Sequence, residues 1–127
     1  MKKILMVILL LGLSLPVIAA NWIEVANKQY LMIEKIEGKN VYYWVKTLND
    51  GTFKKIDNII PAYNMAHYVS DCTKNQAKNL AFYSYSKNGD IVGSFEDENL
   101  YTSWKTPIPQ SNGEYWHQEA CYATTNK

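Results

Sequence analysis

The sequence predicts an α+β domain that is mainly β: a twisted antiparallel sheet of about five to six strands, then one C-terminal helix, held by one disulfide. Three features point there. Runs rich in Val, Ile, Tyr and Trp recur between short clusters of Gly, Asn, Asp and Lys. β-branched and aromatic side chains favour the pleated backbone, and the intervening clusters favour turns. One stretch after Pro109 carries a helix start signal, and the chain has two cysteines, Cys72 and Cys121.

The elements follow in order. Asn21-Trp22-Ile23-Glu24-Val25 alternates apolar and polar residues and opens the sheet. Residues 29–36 (QYLMIEKI) form the next strand, Glu37-Gly38-Lys39-Asn40 a turn, and residues 41–47 (VYYWVKT) the strongest strand of the chain. Two runs joined by a short turn cluster read as an antiparallel hairpin. Asn49-Asp50-Gly51 makes a second turn. Residues 52–64 contain Pro61 and the charged Lys54, Lys55 and Asp57, and read as a long loop or irregular edge strand. Residues 65–72 (MAHYVSDC) run as a strand with Ala66, Tyr68, Ser70 and Cys72 on one face. Residues 78–86 (KNLAFYSYS) and 91–95 (IVGSF) form a hairpin about Asn88-Gly89, a pair suited to two positive φ angles. Residues 101–105 (YTSWK) make a short last strand, ended by Pro107 and Pro109.

Ser111 stands three residues before Glu114, the spacing of a capping box. The hydroxyl accepts from an orphan amide of the first turn while the carboxylate reaches back to the cap amide. A helix over residues 112–123 then puts Trp116, Ala120 and Ala123 on one face, with Cys121 beside them.

The first twenty residues read as an address: Lys2-Lys3, a twelve-residue apolar run at residues 4–15 (ILMVILLLGLSL), the breaker Pro16, and Ala19-Ala20 for cleavage. This is the three-part plan of a secretory signal peptide. Residues 1–20 are assigned to it and residues 21–127 to a single domain, with no stable membrane span after cleavage. In an oxidising compartment the even cysteine pair implies one disulfide, Cys72–Cys121. The two are 49 residues apart, so the bridge removes about 4 kcal/mol worth of unfolded-chain entropy. Zinc ligation, the competing reading, calls for close pairs of the CxxC or HxxxH kind, which the sequence lacks.

Thirteen Lys and no Arg face twelve acidic residues; without Lys2 and Lys3 the net charge is −1. Such a balance argues against a nucleic-acid partner, which is held by a basic face with Arg forks. A hydrophobic fraction of 47% with 20% charge excludes a disordered chain.

Six features in order resemble the surface-adhesin protein E-like family of exported Gram-negative proteins. They are Trp22 after the leader, a strand ending Val41-Tyr42-Tyr43-Trp44, Asp71-Cys72, Tyr83-Ser84-Tyr85 running into Gly89, Trp104 before Pro109-Gln110-Ser111, and the closing Cys121. The pattern spans nearly all of residues 21–127, and its most specific parts are the Asp-Cys pair and the Trp-to-Pro-to-Ser-to-Cys ending. Gln110 stands where the family usually has Gly, and residues 52–64 match nothing in it. The resemblance implies an antiparallel sheet with a C-terminal helix. It also implies a place in the periplasm or on the outer surface, and binding of host extracellular-matrix or serum proteins such as vitronectin and laminin. No binding residue carries over from it.

No catalytic, cofactor or metal motif is present: GxSxG, P-loop, HExxH and GxGxxG are all missing. His67 and His117 could serve as an acid–base pair, but His117 reads as a surface residue and His67 as part of a packed strand. Glu96-Asp97-Glu98 reads as a solvated connection. The aromatics are more informative. Neighbours on a strand point to opposite faces, so Tyr42 and Tyr43 cannot both enter one core. Tyr42, Tyr43 and Trp44 are the candidate partner-binding residues. The leading expectation is a non-enzymatic exported protein that binds a protein partner. A periplasmic inhibitor or accessory protein is the second, marked by a contact loop rather than a flat aromatic face, and a small hydrolase the third.

Overall fold

The computed structural model describes residues 21–96 and 103–125. The leader lies outside the described residues, as do Asp97, Glu98, Tyr101 and Thr102. Six strands come first, β1 (Ile23–Ala26), β2 (Gln29–Glu37), β3 (Asn40–Leu48), β4 (Tyr63–Asp71), β5 (Gln76–Tyr85) and β6 (Ile91–Glu96), then α1 (Asn112–Thr125). They form one antiparallel meander in chain order, β1-β2-β3-β4-β5-β6.

The turns follow the residues able to make them. Lys28 turns β1 into β2 at φ 62°, and Gly38 turns β2 into β3 at φ 64°. The β4–β5 turn is built by Asp71, whose Oδ1 accepts from the Thr73 amide (3.0 Å), the Thr73 hydroxyl (2.7 Å) and the Lys74 amide (3.0 Å). Asp71 Oδ2 lies 3.5 Å from the Lys39 ammonium. The Thr73 hydroxyl first, then the two amides and Lys39, bring the Asp71 carboxyl down to about 2 against its burial.

Asn88-Gly89 departs from the expected two-residue turn. Only Gly89 has positive φ there, and the connection is a wider loop closed by the Ser86 amide on Asp90 O at 2.8 Å. The paired positive φ angles fall instead at Asp57 (51°) and Asn58 (66°). They form the tip of a miniature hairpin in which Ile56 and Ile59 exchange both backbone bonds, at 2.8 and 2.9 Å. Residues 49–62 are thus a stiff loop, with Ile56 packed on Gly93. Tyr63 and Asn64, grouped with that loop in the sequence reading, open β4. Of the expected strand over 101–105, the described part holds one bridge, Lys105 to Ala77.

α1 covers β2, β3 and β4 on one side. Leu31, Val41, Tyr43, Val45 and Ala120 form the buried cluster, with Val25, Ile33, Tyr68, Cys72 and Trp116 packed around it. Three ties hold the helix down. The Trp116 indole N–H donates to Gln29 Oε1 at 3.0 Å, His117 reaches Ser70, and Cys121 is bonded to Cys72, just past β4.

Candidate binding face

β3 carries large side chains on both faces, and the helix can cover only one. Val41, Tyr43 and Val45 point under α1, and each is 1% exposed. Tyr42, Trp44 and Lys46 point to the opposite, open face, and all three are half-buried. The strand pairings extend that face into rows. One row runs Leu48, Tyr63, Tyr85, Ile91. The next runs Tyr30, Lys46, Met65, Tyr83, Ser94, and the third Met32, Trp44, His67, Ala81, Glu96. The fourth holds Lys35, Tyr42 and Val69.

The rings on this face contact one another across the strands. Trp44 stacks on His67, with centroids 4.3 Å apart and planes 5° off parallel. Tyr63 stacks on Tyr85 at 4.8 Å and 11°. Tyr83 lies between the two stacks, 6.3 Å from Trp44 and 6.4 Å from Tyr85. Two lysines sit over rings: Lys35 over Tyr42 and Lys46 over Tyr63, each 4.7 Å from the centroid. A register shift between Ile33 and Lys35 frees Glu34 from the ladder, and its Oε1 meets His67 Nε2 at 2.8 Å. The Tyr83 hydroxyl donates to Glu96.

The candidate triplet therefore divides. Tyr42 and Trp44 stand on the open face. Tyr43 belongs to the core and has no surface to offer a partner, because strand alternation turns it under the helix. The sequence reading did not connect Tyr63, Met65 and His67 to this face; their spacing of two along β4 was the available signal.

The two histidines are on opposite sides of the sheet and cannot share a reacting atom. His67 is on the open face. His117 is not the surface residue the sequence suggested: it is 4% exposed, beneath α1, with Nδ1 2.8 Å from Ser70 Oγ. Ser70 Oγ also lies 2.9 Å from the Tyr43 hydroxyl. Burial pushes the Tyr43 phenol up, against the Ser70 hydrogen bond. Burial likewise holds His117 below its ordinary 6.5, against the pull of Glu114 and Asp71. With Ser70 0% exposed, this group is a sealed packing network. Among the described residues no three His, Cys, Asp or Glu side chains gather closely enough to hold a metal ion. No helix among them is long and apolar enough to cross a membrane.

No protein-family model matches the chain, and no curated protein matches it.

Proposed function

We propose that the chain is an exported, non-enzymatic envelope protein, similar to surface adhesin E, that binds a protein partner through the open face of its sheet. One observation carries this reading: Tyr42, Trp44, Tyr63, His67, Tyr83 and Tyr85 form a continuous aromatic face on the side away from α1. Large rigid aromatics give much contact at small entropic cost, and they dominate interface energetics. The disulfide fits an oxidising compartment outside the cytoplasm. The ordered motifs from Trp22 to Cys121 support the family likeness, and with it a Gram-negative periplasm or outer surface and host-matrix or serum partners.

The experiment has two arms. Protease added to intact cells should digest the protein, and the purified domain should bind immobilised laminin or vitronectin. Trp44→Ala should weaken that binding by more than about fivefold, the level at which an interface residue counts. Full protection on whole cells together with no binding to either protein overturns the reading.

The second reading, a periplasmic inhibitor, has its own support in the stiff 49–62 loop, which exposes Ile59 and Ile60. A rigid loop that presents apolar side chains fits an enzyme cleft at low ordering cost. In that case Ile60→Asp abolishes capture of a periplasmic enzyme, and Trp44→Ala leaves it unchanged.

A further inference from the structure

We infer that the open face reads a flat, weakly charged protein surface through ring edges and phenol hydroxyls, rather than a sugar or nucleobase laid on ring faces. This rests on the binding role proposed above and names the class of partner.

The direction of the rings decides which of their atoms a partner meets. Adjacent strands lie about 4.8 Å apart. Trp44 and His67 are on adjacent strands with parallel planes 4.3 Å apart at the centroids, and Tyr63 and Tyr85 repeat this at 4.8 Å. Parallel planes separated by one strand spacing have their normals along the strand-to-strand direction, within the sheet. The rings therefore stand on edge, like books on a shelf.

At least one face of each of these rings is already covered. Tyr63 has the Lys46 ammonium from β3 over its ring and Tyr85 from β5 stacked on it. Trp44 has His67 on one side, and its β2 neighbour across the ladder is Met32. Lys35 lies over Tyr42. A sugar ring or nucleobase gains its energy from contact with an open aromatic face, and on Tyr63 such contact first requires the Tyr85 stack or the Lys46 contact to be broken. Rings standing on edge turn their rims outward, and with them the Tyr63 and Tyr85 hydroxyls, whereas that of Tyr83 is taken by Glu96.

Charge narrows the class further. Lys35, 3.3 Å from Glu37, and Lys46 stand on this face among the carboxylates of Glu34, Glu37 and Glu96. A face whose charges answer one another projects little net field, so it does not select a phosphate or sulfate polymer. Its size suits a protein: five strand spacings by the length of β3 give a plane of about 24 by 30 Å. That is close to the roughly 800 Å² that each partner contributes to a standard interface.

The test is the paired variant Tyr63→Phe with Tyr85→Phe, which keeps both rings and their stack and removes only the hydroxyls. The probes are laminin and vitronectin, with cellohexaose, chitohexaose and a thymidine oligonucleotide as stacking ligands read by Trp fluorescence. The inference expects the variant to melt as wild type does and to bind the protein probe about tenfold more weakly, the loss of one to two hydrogen bonds. It also expects binding to change less than about twofold between about 0.05 and 0.5 M salt. Unchanged protein binding by the variant, steep loss with salt, or saturable binding of an oligosaccharide or oligonucleotide overturns the inference while leaving a binding face. Failure of wild type to bind any probe overturns the binding role and the inference with it.

Discussion

Ser70 on β4 and His117 on α1 meet at 2.8 Å in a sealed site, 47 residues apart in the chain. With the imidazole neutral and its proton on Nε2, Tyr43 donates to Ser70 and Ser70 donates to Nδ1, so all three groups are paired. A protonated ring turns Nδ1 into a donor and forces that chain of hydrogen bonds to reverse, and a hydroxyl proton is left without an acceptor.

The first prediction is a pH dependence. Burial lowers the folded His117 value below the unfolded 6.5. The unfolded chain therefore takes up the proton first. Stability is full above about pH 6.5 and declines as pH falls from there toward the lower folded value. Asp71, brought down to about 2, acts in a separate window, losing its contribution below about pH 4. Melting temperatures of wild type and His117→Gln, compared across both windows, should differ in slope only in the upper one. Parallel curves refute the assignment.

The second concerns the bridge. Cys72 and Cys121 have Cα atoms 5.7 Å apart and join the end of β4 to the third turn of α1. Cys121→Ala should cost about 2–5 kcal/mol of unfolding free energy. Non-reducing mass spectrometry of exported protein should find the mass two hydrogens short, and two free thiols would count against the bond.

The third concerns the start of α1. Ser111 Oγ accepts the Glu114 amide at 3.1 Å, as a capping box requires, but the Glu114 carboxylate reaches the Gln110 amide at 2.7 Å rather than that of Ser111. The Ser111 amide is used by Ile108 O at 3.1 Å. Ser111→Ala should cost about 0.5–2 kcal/mol. Gln110 itself sits at φ 67°, a left-handed conformation that glycine adopts freely. Gln110→Gly should leave stability equal or raise it by up to about 1 kcal/mol, relief of backbone strain offset by a more flexible unfolded chain. A urea titration that shows Gln110→Gly clearly less stable than wild type refutes this.

The fourth separates folding from binding within one dipeptide. Tyr43 is 1% exposed and stacks on Tyr68 at 5.7 Å, so Tyr43→Ala should cost about 3–5 kcal/mol. Tyr42→Ala should change stability by much less and weaken partner binding by more than about 1 kcal/mol. Equal destabilisation with no change in binding would make both faces structural.

Much of the architecture was legible locally. Runs of β-branched and aromatic residues between turn clusters placed all six strands to within two or three residues, because both signals act over a few positions. The Ser111 signal placed the helix start, since a cap needs only its own first turn. The loop at 86–90 was misjudged because Asn88-Gly89 is compatible with several closures, and the Ser86–Asp90 hydrogen bond selected a wider one. His117 was misjudged because its burial depends on what β4 offers it, and Ser70 lies 47 residues away.

The sequence by itself determined the order of strands and helix and the pairing of its two cysteines, because each follows from local backbone preference or from there being one choice. Which face of the sheet became the core was decided only in three dimensions. β3 is aromatic on both sides, with Tyr43 on one and Tyr42 and Trp44 on the other, so its own pattern has no preferred inside. The choice came from β4, where Ser70 and Cys72 share a face with Tyr68 and Ala66. The disulfide and the His117 contact draw α1 onto that face. The opposite rings, left without a helix, stand on edge and stack face to face.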